Sequence, residues 1–268
     1  MPKADRRGAA AYDSIIEAVF FAHYRKGASS FEFAREELRD AGNRLRVAVP
    51  KNLGDVLYTY RYRRALPDAV RQTCSAGNEW IISGVRAGRY ALRLVPITRI
   101  EPQAGRYRIK VPDATPEIVA QHALSDEQAL LARVRYNRLI DIFTGITTYS
   151  LQNHLRTQVE GVQIEIDELY LGIGKNGAQY VLPVQAKGGS DRIGRVQLEQ
   201  DIEYCARQFS KLIARAIAAQ LMEDGTIAMF ELTVANERVE IVDERHYKLV
   251  PASEITPGDL DEMKRREQ

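Results

Sequence analysis

The chain has 268 residues, 45% of them hydrophobic and 28% charged, with a formal net charge of +2 and two cysteines. That length can bury a large core and is expected to hold two domains; no internal repeat or low-complexity tract appears. No apolar run is long enough to span a membrane, and the opening Met1-Pro2-Lys3-Ala4-Asp5-Arg6-Arg7 leads into no apolar signal core, so a cytoplasmic protein with free thiols at Cys74 and Cys205 is expected.

The small net charge hides an asymmetry. Residues 1–110 hold 21 Lys and Arg against 11 Asp and Glu, whereas residues 111–268 hold 17 against 25. Such a division suggests that one half carries the electrostatic footprint for phosphates and the other carries acids that hold a metal.

In chain order, residues 10–24 read as a helix with Ile15, Ile16, Val19 and Phe20 inward. Ser29 or Ser30 can cap a second helix through Leu38, with Glu32 and Glu36 in its early turns. Val49-Pro50 and Asn52 introduce a third over residues 53–60, and residues 79–83 and 89–95 form a hairpin around Arg86-Ala87-Gly88. Three helices followed by a hairpin resemble a winged-helix DNA-binding domain in element order. Tyr58-Thr59-Tyr60-Arg61-Tyr62-Arg63-Arg64 interleaves aromatics with guanidinium groups, which pair with phosphates or read guanine edges. Tyr60, Arg61, Arg63 and Arg64 are therefore DNA-contact candidates, with Arg86 and Arg89 as wing contacts. The structural alternative is half-buried tyrosines with arginines snorkelling past them.

Pro112-Asp113 reads as a loop and Pro116-Glu117 as a helix start. Ser125 with Gln128 forms a capping box that opens a helix through Leu130, Val134 and Ile140 to about Phe143, ended by Gly145. Residues 149–156 read as a short second helix. This stretch offers Asn137, Asn153 and Arg156 as further DNA contacts, with helix-surface polarity the alternative for each alone, while His154 reads as a hydrogen-bonded packing histidine rather than a ligand.

Strands are expected over residues 164–171 and 180–187, joined through Asn176-Gly177, a strong hairpin signal. Alternation puts Glu165 and Asp167 on one face of the first strand, Gln185 and Lys187 on one face of the second, and Glu168 on the opposite face. Hydrolysis of a phosphodiester needs a hard cation held by oxygen ligands. Asp167 supplies a carboxylate, Gln185 and the Ala186 backbone carbonyl supply neutral oxygens, Glu165 is a second acid, and Lys187 can orient or help deprotonate the attacking water and offset charge on the phosphate. The bland reading is a solvated hairpin with surface ion pairs, which contribute little. Beyond Gly188-Gly189-Ser190-Asp191 a helix is expected over residues 196–217, then strands over 227–234 and 239–242.

This order of strand, hairpin, strand, helix and strand resembles the core of the PD-(D/E)XK nuclease superfamily, which includes many restriction endonucleases. Asp167 matches its first acid, Gln185 stands at the position of its second, and Lys187 matches its lysine; Gln200-Asp201-Ile202-Glu203-Tyr204 is similar to a Gln-x-x-x-Tyr element of some branches. The chain departs from the pattern in carrying Gln185 for an acid and Ile166, not Pro, before Asp167. The resemblance covers residues 125–250.

It implies an α/β fold: a restriction-endonuclease-like mixed sheet flanked by helices over residues 111–258, preceded by a small winged-helix-like domain over 1–110 and followed by a frayed, charged tail over 259–268. The activity implied is Mg²⁺-dependent hydrolysis of double-stranded DNA (Mn²⁺ can substitute) by a sequence-specific restriction-type endonuclease acting as a homodimer. The alternatives are a winged-helix regulator that binds DNA without cutting it, and a repair or junction nuclease that reads shape. No membrane association, ATP use or zinc site is expected: the chain has no GxxxxGK loop and no metal-spaced histidines.

Overall fold

The computed structural model of the protein describes residues 3–122, 127–188, 191–235 and 238–267. Ser125, half of the expected capping box, lies outside them. Two compact units emerge: one of Met1–Thr98, Thr157–Ile164 and Asn236–Arg238, the other of Arg99–Arg156, Glu165–Ala235 and Val239–Gln268. Residues 99–110, assigned above to the basic domain, thus belong to the second unit. Among the described residues no helix is long and apolar enough to cross a membrane, and Cys74 and Cys205 are free.

The first unit orders α1 (Lys3–His23), β1 (Ser30–Ala34), α2 (Glu36–Leu45), α3 (Gly54–Tyr58) running into a π-helical turn (Thr59–Arg63), α4 (Asp68–Arg71), β2 (Asn78–Arg86) and β3 (Arg89–Pro96). Ile15, Ile16, Val19 and Phe20 of α1 are buried as expected, against Phe33, Leu38, Val56, Leu57, Trp80 and Leu92. The serine-capped helix is corrected. Ser30–Ala34 is a strand in register with β3, Phe31 facing Leu92 and Phe33 facing Tyr90, and the helix begins only at Glu36. The alternation of Phe31, Glu32 and Phe33 is a strand signal that outweighs the capping serines. These strands form a three-stranded sheet in the order β1-β3-β2.

The chain continues with β4 (Arg108–Pro112), α5 (Glu117–His122), α6 (Glu127–Tyr136), α7 (Leu139–Thr144), β5 (Thr147–Val159), β6 (Val162–Ile173), β7 (Gln179–Lys187), α8 (Arg195–Gln208), β8 (Ile213–Ala214), β9 (Ala216–Leu221), β10 (Ile227–Ala235), β11 (Arg238–Val250) and α9 (Pro257–Glu267), all in the second unit except residues 157–159 of β5, 162–164 of β6 and Arg238 of β11. Its mixed sheet runs β4-β11-β10-β9-β7-β6-β5, with β8 beside β7. The β6–β7 pair is antiparallel, and β7 runs parallel to β9. Helices cover both faces. Leu130, Leu131 and Val134 of α6 pack on Tyr170, Leu182, Val184 and Ala186, while Leu198 of α8 packs with Ala216, Ala218 and Phe230.

Four expectations change here. The helix expected to run to about Phe143 is broken between α6 and α7, where Arg138 takes φ 50°. Residues 149–156 are not a helix but part of β5. The helix over 196–217 stops at Gln208, and the remainder becomes β8 and β9. The tail is not frayed: α9 is tied down by Asp259, which accepts from Lys110 Nζ at 2.9 Å, and by Arg266, stacked 3.8 Å from the Tyr107 ring centroid.

Candidate active site and nucleic-acid surface

β7 is the central strand of the hairpin region, and Val181 through Ala186 are all buried, so its apolar run is continuous rather than alternating. Gln185 is the polar interruption. The β6–β7 ladder runs from Ile173 opposite Gln179 to Glu168 opposite Val184. Just past that last pair, the Ala186 N–H donates to Asp167 Oδ2 at 2.9 Å, so a carboxylate takes the place of a ladder carbonyl. This fixes Asp167 beside both Gln185 and Lys187.

Lys187 Nζ donates to Glu127 Oε1 at 2.8 Å, joining the end of β7 to the first residue of α6. Burial works to lower the lysine's proton affinity, but the bond to Glu127 and the charges of Asp167, Glu127 and Asp191 outweigh it, and its pKa is raised. Asp167 is also raised. Burial dominates, opposed by the Ala186 N–H, Lys187 and His154, and reinforced by Glu127.

On the α8 side, Gln185 Nε2 donates to Asp201 Oδ2 at 2.9 Å. Both residues are 1% exposed. Burial, reinforced by Asp167, pushes the Asp201 carboxyl well above the ordinary carboxylate range, against the Gln185 bond and Lys187. Among the described residues neither Gln185 Oε1 nor Asp201 Oδ1 has a hydrogen-bond partner. Nor does any group of three or more His, Cys, Asp and Glu side chains converge among them as a metal cluster would.

The other expected site residues fall as follows. Glu165 pairs with Arg156 at 3.5 Å, and its backbone carbonyl accepts from Gln197 Nε2. Glu168 does turn to the opposite face. There it is 0% exposed, and its Oε1 accepts from Arg135 Nε at 2.9 Å and Ser150 Oγ at 2.6 Å. Asp113 lies apart from the hairpin: it caps its own loop through Thr115 N–H at 2.8 Å. Asn137 is 5% exposed and spent inside the protein, donating to Thr115 Oγ1 and the Arg133 carbonyl and accepting from the Ala114 N–H. Its expected DNA contact is therefore replaced by a loop anchor. Asn153 is exposed but accepts from Arg135. His154 is exposed at φ 49° with its ring against the Gln128 amide at 3.2 Å, so it is not a packed histidine.

Glu127 and Asp201 were not singled out from spacing. Asp201 had a signal: it lies with Leu198, Ile202 and Cys205 on one helical stripe, where an acid is out of place unless it is used.

In the first unit, Tyr60 is buried and its hydroxyl donates to Asp13 Oδ1 at 2.6 Å; burial and Asp13 raise its pKa far above the usual phenol. Arg64 donates to the same carboxylate at 2.7 Å. Arg63 lies 4.9 Å from the Tyr58 ring centroid, and Arg61 the same distance from that of Tyr62. Among the described residues, buried Nε and Nη2 of Arg61 have no hydrogen-bond partner. Arg86 and Arg89 flank a turn whose Ala87 N–H donates to the Glu160 carbonyl at 2.7 Å. The hairpin tip is thus already engaged by protein. The chain matches no protein-family model, no curated protein and no solved structure.

Proposed function

We propose that this chain is a Mg²⁺-dependent DNA endonuclease of restriction type. One observation carries the reading: Asp167 and Lys187, from adjacent strands, are held together at the end of a ladder with Glu127 brought in by α6. A surface hairpin would solvate these groups; here the acid is held at raised proton affinity beside a protonated lysine. The course β5-β6-β7-β9, with β7 parallel to β9 and helices on both faces, supports a restriction-endonuclease-like core. The order α1-β1-α2-α3-α4-β2-β3, helices followed by a hairpin, supports a winged-helix-like first unit.

In this reading Asp167, the Gln185 side-chain oxygen and the Ala186 carbonyl hold the cation, which supplies Lewis-acid relief of charge on the phosphate. Lys187 offsets charge developing on the phosphoryl oxygens. Glu127 keeps the lysine charged and aimed. Glu165, paired with Arg156, borders the site. Arg61 and Arg63 contact double-stranded DNA, while Tyr60 and Arg64 build the platform around Asp13. Cleavage of both strands requires two copies of the site, hence a homodimer.

A second reading, a DNA-binding regulator that does not cut, is favoured by Gln185 in place of an acid. Digestion of methylated and unmethylated plasmid and phage DNA with Mg²⁺ or Mn²⁺, beside Lys187→Ala, separates the two. Discrete fragments lost in the variant support the nuclease. Intact DNA with a retained gel shift supports the regulator, and cutting confined to branched or damaged DNA points to a repair enzyme.

A further inference from the structure

Gln185 and Asp201 form a buried pair with one bond between them and one unused oxygen on each. An acceptor sealed from water without a donor is destabilising, and a buried carboxylate more so unless something neutralises it. Here two such oxygens, Gln185 Oε1 and Asp201 Oδ1, belong to bonded neighbours, and Asp167 is tied to the very next residue of β7 by the bond it accepts from the Ala186 N–H. The amide of Gln185 serves Oδ2 and leaves Oε1 over. A proton on Asp201 would relieve its charge. A hard divalent cation relieves the charge and completes both oxygens at once.

We infer that Asp201 of α8 supplies the metal-binding carboxylate that β7 lacks at Gln185, so that Asp167, Gln185 and Asp201 together hold one Mg²⁺ or Mn²⁺. This rests on the metal-dependent reading above and names the ligand that makes it electrostatically workable. Two carboxylates from β6 and α8 then face the cation, with Gln185 as a neutral ligand that also orients Asp201 through its N–H. Glu127 is left to Lys187.

The test is Mn²⁺ binding to the full chain, followed by electron paramagnetic resonance and calorimetry without DNA. Asp201→Asn keeps the shape and the bond to Gln185 but removes the charge. It lowers Mn²⁺ affinity at least tenfold, while its thermal midpoint without metal is equal to or above that of the parent. Gln185→Glu combined with Asp201→Asn moves the acid back onto β7 and recovers affinity. Gln185→Glu alone tightens Mn²⁺ binding. If the parent binds Mn²⁺ and Asp201→Asn binds it equally well, Asp201 is not a ligand and the inference fails while the nuclease reading stands. If the parent takes up no Mn²⁺ and cuts no DNA, both fall.

Discussion

Lys187 is anchored to Glu127, not to Asp167: its ammonium sits 2.8 Å from Glu127 Oε1, and Asp167 acts on it only through charge. A lysine whose pKa is raised stays protonated through neutral pH, so it works as a fixed cation rather than as the base that deprotonates water. Lys187→Arg is therefore expected to keep measurable cleavage, while Lys187→Met loses about 10²–10³-fold in kcat. The pH–rate profile of the parent should show no ascending limb that disappears in Lys187→Arg. A limb of that kind would make the lysine a base.

Glu127→Gln tests the anchor. It leaves the hydrogen-bonding shape but removes the charge that raises Lys187. Cleavage should fall with the KM for DNA little changed, because the arginines of the first unit proposed to contact DNA are untouched. A loss confined to KM would instead make Glu127 part of substrate binding.

Asp167 and Asp201 both have raised pKa values, which fixes a sign. The folded chain holds these protons more tightly than the unfolded chain, so stability falls as pH rises from the ordinary carboxylate range, about 3.9, toward the folded values. Asp259, lowered to about 2, and Asp113, also lowered, act in the opposite sense, their contribution being lost on acidification. Comparing urea unfolding of the metal-free parent with Asp201→Asn over pH 4 to 8 isolates the first effect. The variant should gain on the parent as pH rises. A constant difference would mean that Asp201 is not buried as a strained acid.

The hairpin carrying Asp167, Gln185 and Lys187 was legible because its signals are local: alternation, Asn176-Gly177 and a Gly-rich exit. Failures came where burial on both sheet faces erases periodicity. Ala216 to Ala219 are all buried in β9, so this alanine-rich run reads as a continuation of α8. Residues 149–156 failed for a different cause. β5 is mostly exposed along this stretch, with apolar Tyr149 and Leu151 turned outward, and shows no clean in-and-out pattern. Glu127 and Asp201 could not be found from strand spacing, since they reach the site from helices, α6 before the hairpin and α8 after it.

Gly161 carries a packing requirement that its neighbours do not show. It sits at φ +77°, and a Cβ there would lie 2.4 Å from the Ala87 Cβ. Gly105 has nearly the same φ, +78°, with nothing within 4 Å. Gly105→Ala should cost about 1 kcal/mol from backbone strain alone. Gly161→Ala should exceed it by about 1–3 kcal/mol, because the clash falls on backbone and Cβ atoms that cannot rotate away. Thermal midpoints of the two variants measure the difference, and equal shifts would show that the hairpin tip yields freely.

Within the basic segment the structure divides residues that look alike in sequence. Tyr60 and Arg64 are committed to Asp13, whereas Arg63 is exposed and Arg61 holds buried nitrogens without partners among the described residues. Tyr60→Phe should therefore lower stability by about 1 kcal/mol and leave DNA affinity unchanged. Arg63→Ala should weaken binding to all sequences alike and reduce the salt slope of the affinity by about one. Arg61→Ala should do the same if its guanidinium meets a phosphate, and should relax sequence preference if it meets a base edge. Binding isotherms on target and random duplexes at several salt concentrations distinguish these. Unchanged affinity in both arginine variants would remove this segment from the DNA surface and leave the basic charge of the first unit without an assigned partner.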